Sequence, residues 1–204
     1  MPDMSYPPEH KTRTHARIVE AASRSFREHG MQATGIDLLM ADAGLTRGGF
    51  YAHFPSKATL FAEVLGHTFA EARTMLLERG LDKHVGRSWI LGATRRYLAP
   101  KHRDSPSQGC GIPTLGAEVA RAPEEVRGAF GAELRGFLDD LTKHSGTTPE
   151  TTTALLAMWV GALLMARAVG DSAQSNAILD ACKSQIARHF AGGEDSDPTS
   201  GEAV

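Results

Sequence analysis

The sequence has little of several features that define whole classes of protein. It holds only two cysteines, Cys110 and Cys182, in 204 residues, which excludes a disulfide framework. Neither these cysteines nor the nine histidines follow the spacing of metal ligands. A glycine-rich phosphate loop, a nucleophile elbow and a paired-carboxylate motif are also missing. We therefore expect no metal, no cofactor and no enzymatic activity.

Long apolar runs are equally scarce. The longest extends from Ala154 to Ala166, about 13 residues, and Arg167 follows it, whereas a membrane-spanning helix needs about 20. The N-terminus lacks the basic-then-apolar pattern of a signal peptide. These two absences predict a cytoplasmic protein without a membrane partner.

Excess charge of one sign is absent from the chain as a whole but not from its N-terminal part. The net charge is −2, so the molecule is not a general binder of polyanions. Between His10 and Leu60, however, there are seven Lys and Arg residues and only four Asp and Glu residues. A basic N-terminal segment on an acidic remainder suits a protein that contacts DNA with one end. Chance variation of surface charge is the alternative.

The most informative pattern that is present lies in residues 36–57. It predicts a short helix, a tight turn at Gly44, a second short helix and a further helix. Thr46 and Ser56 are expected to cap the second and third of these helices. Phe50 and Phe54 are four residues apart and are expected in the core. A helix-turn-helix places its second helix in the DNA major groove.

Groups that seek phosphate or approach bases cluster in that second helix. Two glycines inside a helix cost about 1 kcal/mol each relative to alanine, so a purely structural helix has little reason to carry them. Glycine lets a backbone come close to another surface, and hydroxyl, imidazole and cationic groups donate to phosphate oxygens. For His53, a plain surface histidine is the alternative. The predicted DNA-binding residues are Thr46, Arg47, Gly48, Gly49, Tyr51, His53 and Lys57.

Residues 40–57, MADAGLTRGGFYAHFPSK, closely resemble the DNA-binding domain of the TetR family of transcriptional regulators. Two positions depart from the family pattern: Met40 replaces a small alanine, and Gly49 replaces a residue whose side chain commonly touches DNA. The match covers about the first third of the chain. The resemblance implies a homodimer that binds a palindromic double-stranded operator, most often as a repressor, and leaves it when a small molecule binds.

The remaining two thirds show helical periodicity and no convincing strand, which predicts an all-α fold. We expect an N-terminal three-helix DNA-binding domain and a larger helical domain for ligand binding and dimerisation. The predicted bounds are a disordered arm at 1–10, the DNA-binding domain at 11–57, the larger domain at 58–191 and a disordered tail at 192–204. Residues 100–113, rich in proline and glycine, are expected to form a loop.

Residues 150–169 predict a helix that is apolar on nearly all sides and must therefore be covered on all sides. One face is expected to pack inside the protomer and the other against a second subunit; a helix wholly inside one protomer is the alternative. The resemblance implies that the last two long helices form a four-helix dimer interface. The predicted interface residues are Leu156, Trp159, Leu163, Ile178 and Ile186.

The sequence does not identify the small-molecule effector. The candidate pocket residues are Trp89, Cys110, Leu115, Phe137 and Trp159, although at helical spacing they could equally form core. Cys110 follows the basic residues 101–103, and basic neighbours lower a thiol pKa, so a redox- or electrophile-sensing repressor is one alternative. A helical enzyme using Cys110 and His102, and a structural DNA-binding protein without ligand, are two further alternatives.

Overall fold

The computed structural model describes residues 8–106 and 109–191, and all of its regular elements are helical. The predicted all-α class is confirmed. In chain order the elements are α1 Pro8–His29, α2 Ile36–Asp42, a 3₁₀ helix Arg47–Ala52, α3 Lys57–Leu77, α4 Gly86–Tyr97, α5 Pro100–Arg103, α6 Ile112–Val119, α7 Glu124–Ser145, α8 Pro149–Ala168 and α9 Ser172–His189.

Prolines that suit a first helical turn shift two of the predicted boundaries. α1 begins at Pro8, so residues 8–10 are helical and not part of the predicted arm; residues 1–7 and the predicted tail lie outside the described residues. α5 forms inside the predicted loop, with Pro100 in its first turn. Proline is tolerated there because the first N–H groups of a helix have no intrahelical acceptor.

The molecule contains two hydrophobic cores. The N-terminal core contains Ile18, Phe26, Met40, Phe50, Phe54, Leu60, Phe61, Leu65, Leu115, Val119 and Val126. The C-terminal core contains Phe69, Leu76, Trp89, Tyr97, Phe137, Leu155, Trp159, Leu163, Leu179 and Ile186. α3 passes from one core to the other between Leu65 and Phe69, so any movement of α3 is felt by both.

α8 carries apolar residues on two faces, one buried and one exposed. Its 20 residues make it long and apolar enough to cross a membrane by length and composition, although the apolar run counted in the sequence was shorter. One face, including Trp159 and Leu163, is buried in the C-terminal core. On the other face Leu164 is 45% and Met165 is 53% exposed. The inner face therefore has the composition of a core helix, and the outer face presents an apolar surface.

Candidate nucleic-acid interface

The turn between α2 and the 3₁₀ helix requires a glycine at position 44. Gly44 has a φ of 66°, in the left-handed region. A Cβ at this position would lie 2.9 Å from Arg17 Nη2, and that nitrogen donates to the Ala43 carbonyl at 2.6 Å. Any side chain at Gly44 would therefore strain the backbone and displace the arginine of α1 that closes the end of α2.

The second short helix that the sequence predicts is present, and it is a 3₁₀ helix. Its first turn is closed by the Gly49 N–H, which donates to the Thr46 carbonyl at 3.0 Å. The Thr46 hydroxyl makes no capping hydrogen bond, so the predicted cap is wrong; in this tight turn the backbone carbonyl supplies the acceptor. The predicted Ser56 cap is confirmed, since its Oγ accepts from the Thr59 N–H at 3.0 Å.

Two phenylalanines fix the inner side of the 3₁₀ helix. Phe50 is 0% and Phe54 is 1% exposed, and their ring centroids lie 5.8 Å apart. The His15 ring of α1 stacks on Phe54 at 4.4 Å. The predicted core role of both phenylalanines is confirmed. Because this side is anchored to α1, the remaining side chains of the helix are presented to solvent in a defined orientation.

The outer side of the 3₁₀ helix carries groups that can reach a ligand. Tyr51 is 60% exposed, and Thr46, Arg47 and Gly48 are exposed as well. Arg47 Nη1 lies 2.7 Å from Asp37 Oδ2, and both side chains are more than 60% exposed. Such surface ion pairs contribute about 0–1 kcal/mol. The Arg47 guanidinium can therefore exchange Asp37 for a nucleic-acid group at little cost.

Neither glycine of the 3₁₀ helix is required by packing within the chain. A Cβ on Gly48 would meet nothing within 4 Å, and one on Gly49 would meet only Met40 Cε, at 3.7 Å, which is ordinary contact. Packing within the described chain therefore does not explain either glycine, although glycine destabilises a helix. Met40 and Gly49, the two departures from the family pattern, are also neighbours in space, so the larger Met40 side chain fills the region beneath Gly49.

His53 is half-buried, and its pKa is lower than that of an ordinary histidine. Its Nδ1 is enclosed, with no hydrogen-bond partner among residues 8–106 and 109–191. Burial is the main reason that the pKa of His53 lies below its ordinary value, and the positive charges of His15, Lys11 and His10 lower it further. The neutral imidazole therefore sits among cationic groups, an arrangement that an approaching phosphate would stabilise.

Lys57 lies half-buried in the first turn of α3. Its pKa is affected by a residue of α6, a helix that the sequence did not connect with it. Burial lowers its pKa, while the Glu118 carboxylate of α6 acts in the opposite direction. Glu118 Oε2 also accepts from the Met31 N–H at 2.5 Å. α6 thus contacts the DNA-binding domain at Met31 and acts electrostatically on Lys57.

The start of α1 is an element beside the candidate site that sequence reasoning missed. Because α1 begins at Pro8, Lys11 is helical, and its charge acts on His53. The rings of His15 and His53 lie 5.9 Å apart. The available signal was Pro8 followed by Glu9, since proline and an acid suit a first helical turn. Lys11 joins the candidates for phosphate contact.

Comparison with known proteins agrees with this geometry. Residues 18–64 match the family model described as bacterial regulatory proteins, tetR family. The transcriptional repressor NemR of Escherichia coli K12 is 26% identical over 174 residues, which are 78% of this chain and 85% of NemR. A TetR transcriptional regulator from Chloroflexus aurantiacus superposes with a TM-score of 0.74 at 20% identity, over 90% of this chain and 97% of that one. Residues 18–64 thus match the segment that the tetR family model describes.

Two further solved structures share the fold of this chain along most of its length. The reduced form of E. coli NemR gives a TM-score of 0.72 at 23% identity, over 86% of this chain and 96% of that one. AibR, solved with isovaleryl coenzyme A and operator DNA, gives 0.60 at 17% identity, over 86% and 97%. The protein is a DNA-binding transcriptional regulator, as predicted.

The predicted ligand residues do not form one site. Leu115 packs in the N-terminal core, whereas Trp89, Cys110, Phe137 and Trp159 belong to the C-terminal core. The indole N–H groups are already used: Trp89 Nε1 donates to the Leu76 carbonyl at 2.9 Å, and Trp159 Nε1 donates to Thr94 Oγ1 at 3.1 Å. The two indole N–H groups have hydrogen-bond partners, and these aromatic residues pack in the core. They therefore fit the alternative reading, in which they form core and not a pocket.

Cys110 is not the exposed, activated thiol that its basic neighbours suggested. It is 3% exposed, and burial raises its pKa despite nearby hydrogen-bond donors. His102 cannot serve as its base, because Nδ1 bonds the Tyr97 carbonyl at 2.6 Å and Nε2 accepts from the Cys110 N–H at 2.8 Å. Thiol-based sensing is therefore not favoured. The Cys110–His102 pair of the enzyme alternative lacks the free histidine base that it would need.

Most of the predicted dimer residues face inward. Leu156, Trp159, Leu163 and Ile186 are 5% exposed or less within one protomer, and Ile178 is half-buried. The prediction failed because a helix that is apolar all round does not reveal which side faces the core. The outward face of α8 carries Ala154, Ala157, Gly161, Leu164 and Met165.

Proposed function

We propose that two copies of this chain bind one pseudo-palindromic operator and repress transcription until a small molecule binds. The observation that carries the proposal is the 3₁₀ helix, anchored by Phe50 and Phe54 and exposed at Arg47 and Tyr51. Recognition helices of this motif place their N-terminal residues against base edges. The relative NemR is named a repressor, which supports the same sign of regulation here.

Within this proposal the predicted DNA-binding residues divide into two groups. Arg47 reads a base, because arginine is the commonest partner of guanine edges. Thr46, Tyr51, His53 and Lys57 contact phosphates, together with Lys11 of α1. Gly48 and Gly49 allow the backbone close approach, which agrees with the lack of any tight contact to their Cβ positions within the described chain.

Dimerisation is proposed through the outward face of α8 and the neighbouring face of α9. Leu164 and Met165 are the exposed large apolar residues there, and Ala157 and Gly161 permit close helix packing. An apolar strip of this kind on a soluble protein is usually covered by a partner. We further propose that the protein works in the cytoplasm, with DNA binding in residues 11–57 and ligand binding and dimerisation in residues 58–191.

Selection of DNA from a random duplex pool tests the proposal. The full-length protein should enrich an inverted repeat whose half-sites are spaced by about one helical turn, 10–10.5 base pairs, or a multiple of it. The variant Arg47→Ala, passed through the same selection, should lose the enriched half-site. Enrichment of an unpaired motif, or of none, would contradict the proposed dimeric operator.

A further inference from the structure

Arg47 is paired with an acid of the same helix-turn-helix. Residues 29–56 contain one Lys or Arg residue, Arg47, and two Asp or Glu residues, Asp37 and Asp42. Arg47 Nη1 donates to Asp37 Oδ2 at 2.7 Å, whereas Asp42 Oδ2 lies 3.3 Å from Nη2 of Arg24 in α1. Asp37 is therefore the acid that acts directly on the residue assigned to base reading.

Asp37 belongs to the helix that would cross the phosphate backbone of a bound duplex. It lies in the first turn of α2, and the first helix of a helix-turn-helix crosses the backbone. Its side chain is 66% exposed, so by itself the carboxylate would repel nearby phosphates. Pairing with Arg47 balances the two charges. The pair therefore adds little to the sequence-independent attraction, which arises from cations that neutralise phosphates.

The pairing leaves one edge of the Arg47 guanidinium free. A guanidinium has two pairs of parallel donors, one formed by Nη1 and Nη2 and the other by Nε and Nη2. Asp37 holds Nη1, whereas Nε and Nη2 have no hydrogen-bond partner among residues 8–106 and 109–191. Guanine presents two neighbouring acceptors, O6 and N7, in the major groove. Arg47 can leave Asp37 at little cost, but reading a guanine does not require it to leave.

We propose that Asp37 is a specificity-determining residue, which positions Arg47 for a base and withholds it from phosphates. By holding Nη1, the carboxylate restricts the conformations of a long side chain and leaves the Nε–Nη2 edge for one guanine. By balancing the Arg47 charge, it weakens attraction to phosphate oxygens, which carry no sequence information. Asp37 is a positioning residue, because it acts through Arg47. The inference rests on the proposed function, since it concerns the same DNA-binding face.

Two simpler roles of Asp37 lead to different expectations. An acid in the first turn stabilises a helix through its dipole, and α2 has no side-chain cap at Gly35; loss of that stabilisation would weaken binding to every duplex alike. Removal of a merely repulsive charge would strengthen binding to every duplex alike. Loss of the positioning role instead changes the affinity for the operator relative to random DNA. The ratio of the two affinities therefore separates positioning from both simpler roles.

Fluorescence anisotropy of the full-length variant Asp37→Ala, on the selected operator and on a random duplex of equal length, tests the proposal. The ratio of operator affinity to random-duplex affinity should fall about threefold, the size expected when one exposed ion pair is lost. On random DNA the salt dependence should steepen by about one unit, since Arg47 becomes free to neutralise a phosphate. Asp42→Ala removes the same charge from the same helix and should leave the ratio unchanged. An unchanged ratio in Asp37→Ala would overturn the proposal.

The double variant Asp37→Ala/Arg47→Ala tests whether Asp37 acts through Arg47. Its affinity ratio should equal that of Arg47→Ala alone, and a further fall would overturn the positioning role. Selection from the random pool separates the two proposals. A wild type that enriches an inverted repeat, together with an unchanged ratio in Asp37→Ala, refutes the role of Asp37 alone. A wild type that enriches no repeat refutes the proposed function, and the role of Asp37 with it.

Discussion

The DNA-binding motif and the C-terminal core differ in where their polar side chains lie. Around the N-terminal core the polar side chains of the DNA-binding motif lie outside, as the exposed Arg47–Asp37 pair illustrates. In the C-terminal part, polar groups enter the interior: Trp159 bonds Thr94, and Arg167 is enclosed against backbone carbonyls. The motif therefore presents its polar groups at the surface, whereas the C-terminal core encloses several of its own.

The largest expected effect concerns the N-terminal core. Phe54→Ala should destabilise it by about 3–5 kcal/mol, because a fully buried ring is replaced by a cavity, and DNA binding should be lost while dimers persist. Chemical denaturation followed by circular dichroism, with sedimentation for the dimer, measures both. Tyr51→Ala is the matched control, since this neighbouring ring is 60% exposed and should change stability by less than about 0.5 kcal/mol. Loss of the dimer in Phe54→Ala would show that the two cores are not separable.

The next effect concerns the outer face of the C-terminal core. Leu164→Glu should convert dimers to monomers at micromolar concentration, because a carboxylate would be buried without a partner. Sedimentation velocity measures the change. Val85→Glu places the same charge on another exposed apolar residue, 69% exposed and outside α8, and should leave the dimer intact. A dimer that survives Leu164→Glu would refute the proposed interface.

The smallest effect is a pH dependence of DNA binding. The pKa of His53 is depressed in the free protein by burial and by cationic neighbours, and a bound phosphate would raise it. The complex then holds more protons than the free protein, so affinity should rise as pH falls through the range between the two pKa values, by at most about tenfold per pH unit for one proton.

Fluorescence anisotropy between pH 5.5 and 8 on an identified operator measures this dependence. His53→Gln should flatten the curve. His84→Gln, an exposed histidine between α3 and α4, should leave it unchanged. A His53→Gln curve identical to that of the wild type would remove His53 from the DNA contacts.

The contrast between the cores also explains what the sequence could predict. The DNA-binding motif depends on close neighbours, such as Arg47 and Asp37, which are 10 residues apart, so a short string specifies it. The polar contacts of the second core join residues that are far apart, 65 for Trp159 and Thr94 and 72 for Arg103 and Ser175. Periodicity identifies the helices there but not which residues meet, which is why the ligand and dimer residues were misplaced.

Two local features have equally physical causes. The start of α1 was missed because three prolines within the first ten residues suggested disorder, although Pro8 in fact begins the helix. The type of the second short helix of the motif was not predicted, because sequence patterns do not separate i+3 from i+4 hydrogen bonding in a six-residue segment.

The most direct test of the account is the affinity of Arg47→Ala for the selected operator and for a random duplex of equal length, at several salt concentrations. Loss of a base contact should cost about 1–3 kcal/mol on the operator and much less on random DNA. Tyr51→Phe and Lys57→Ala should instead weaken both duplexes alike, and Lys57→Ala should reduce the salt dependence. An equal loss on both duplexes for Arg47→Ala would contradict the central claim that the exposed face of the 3₁₀ helix reads the DNA sequence.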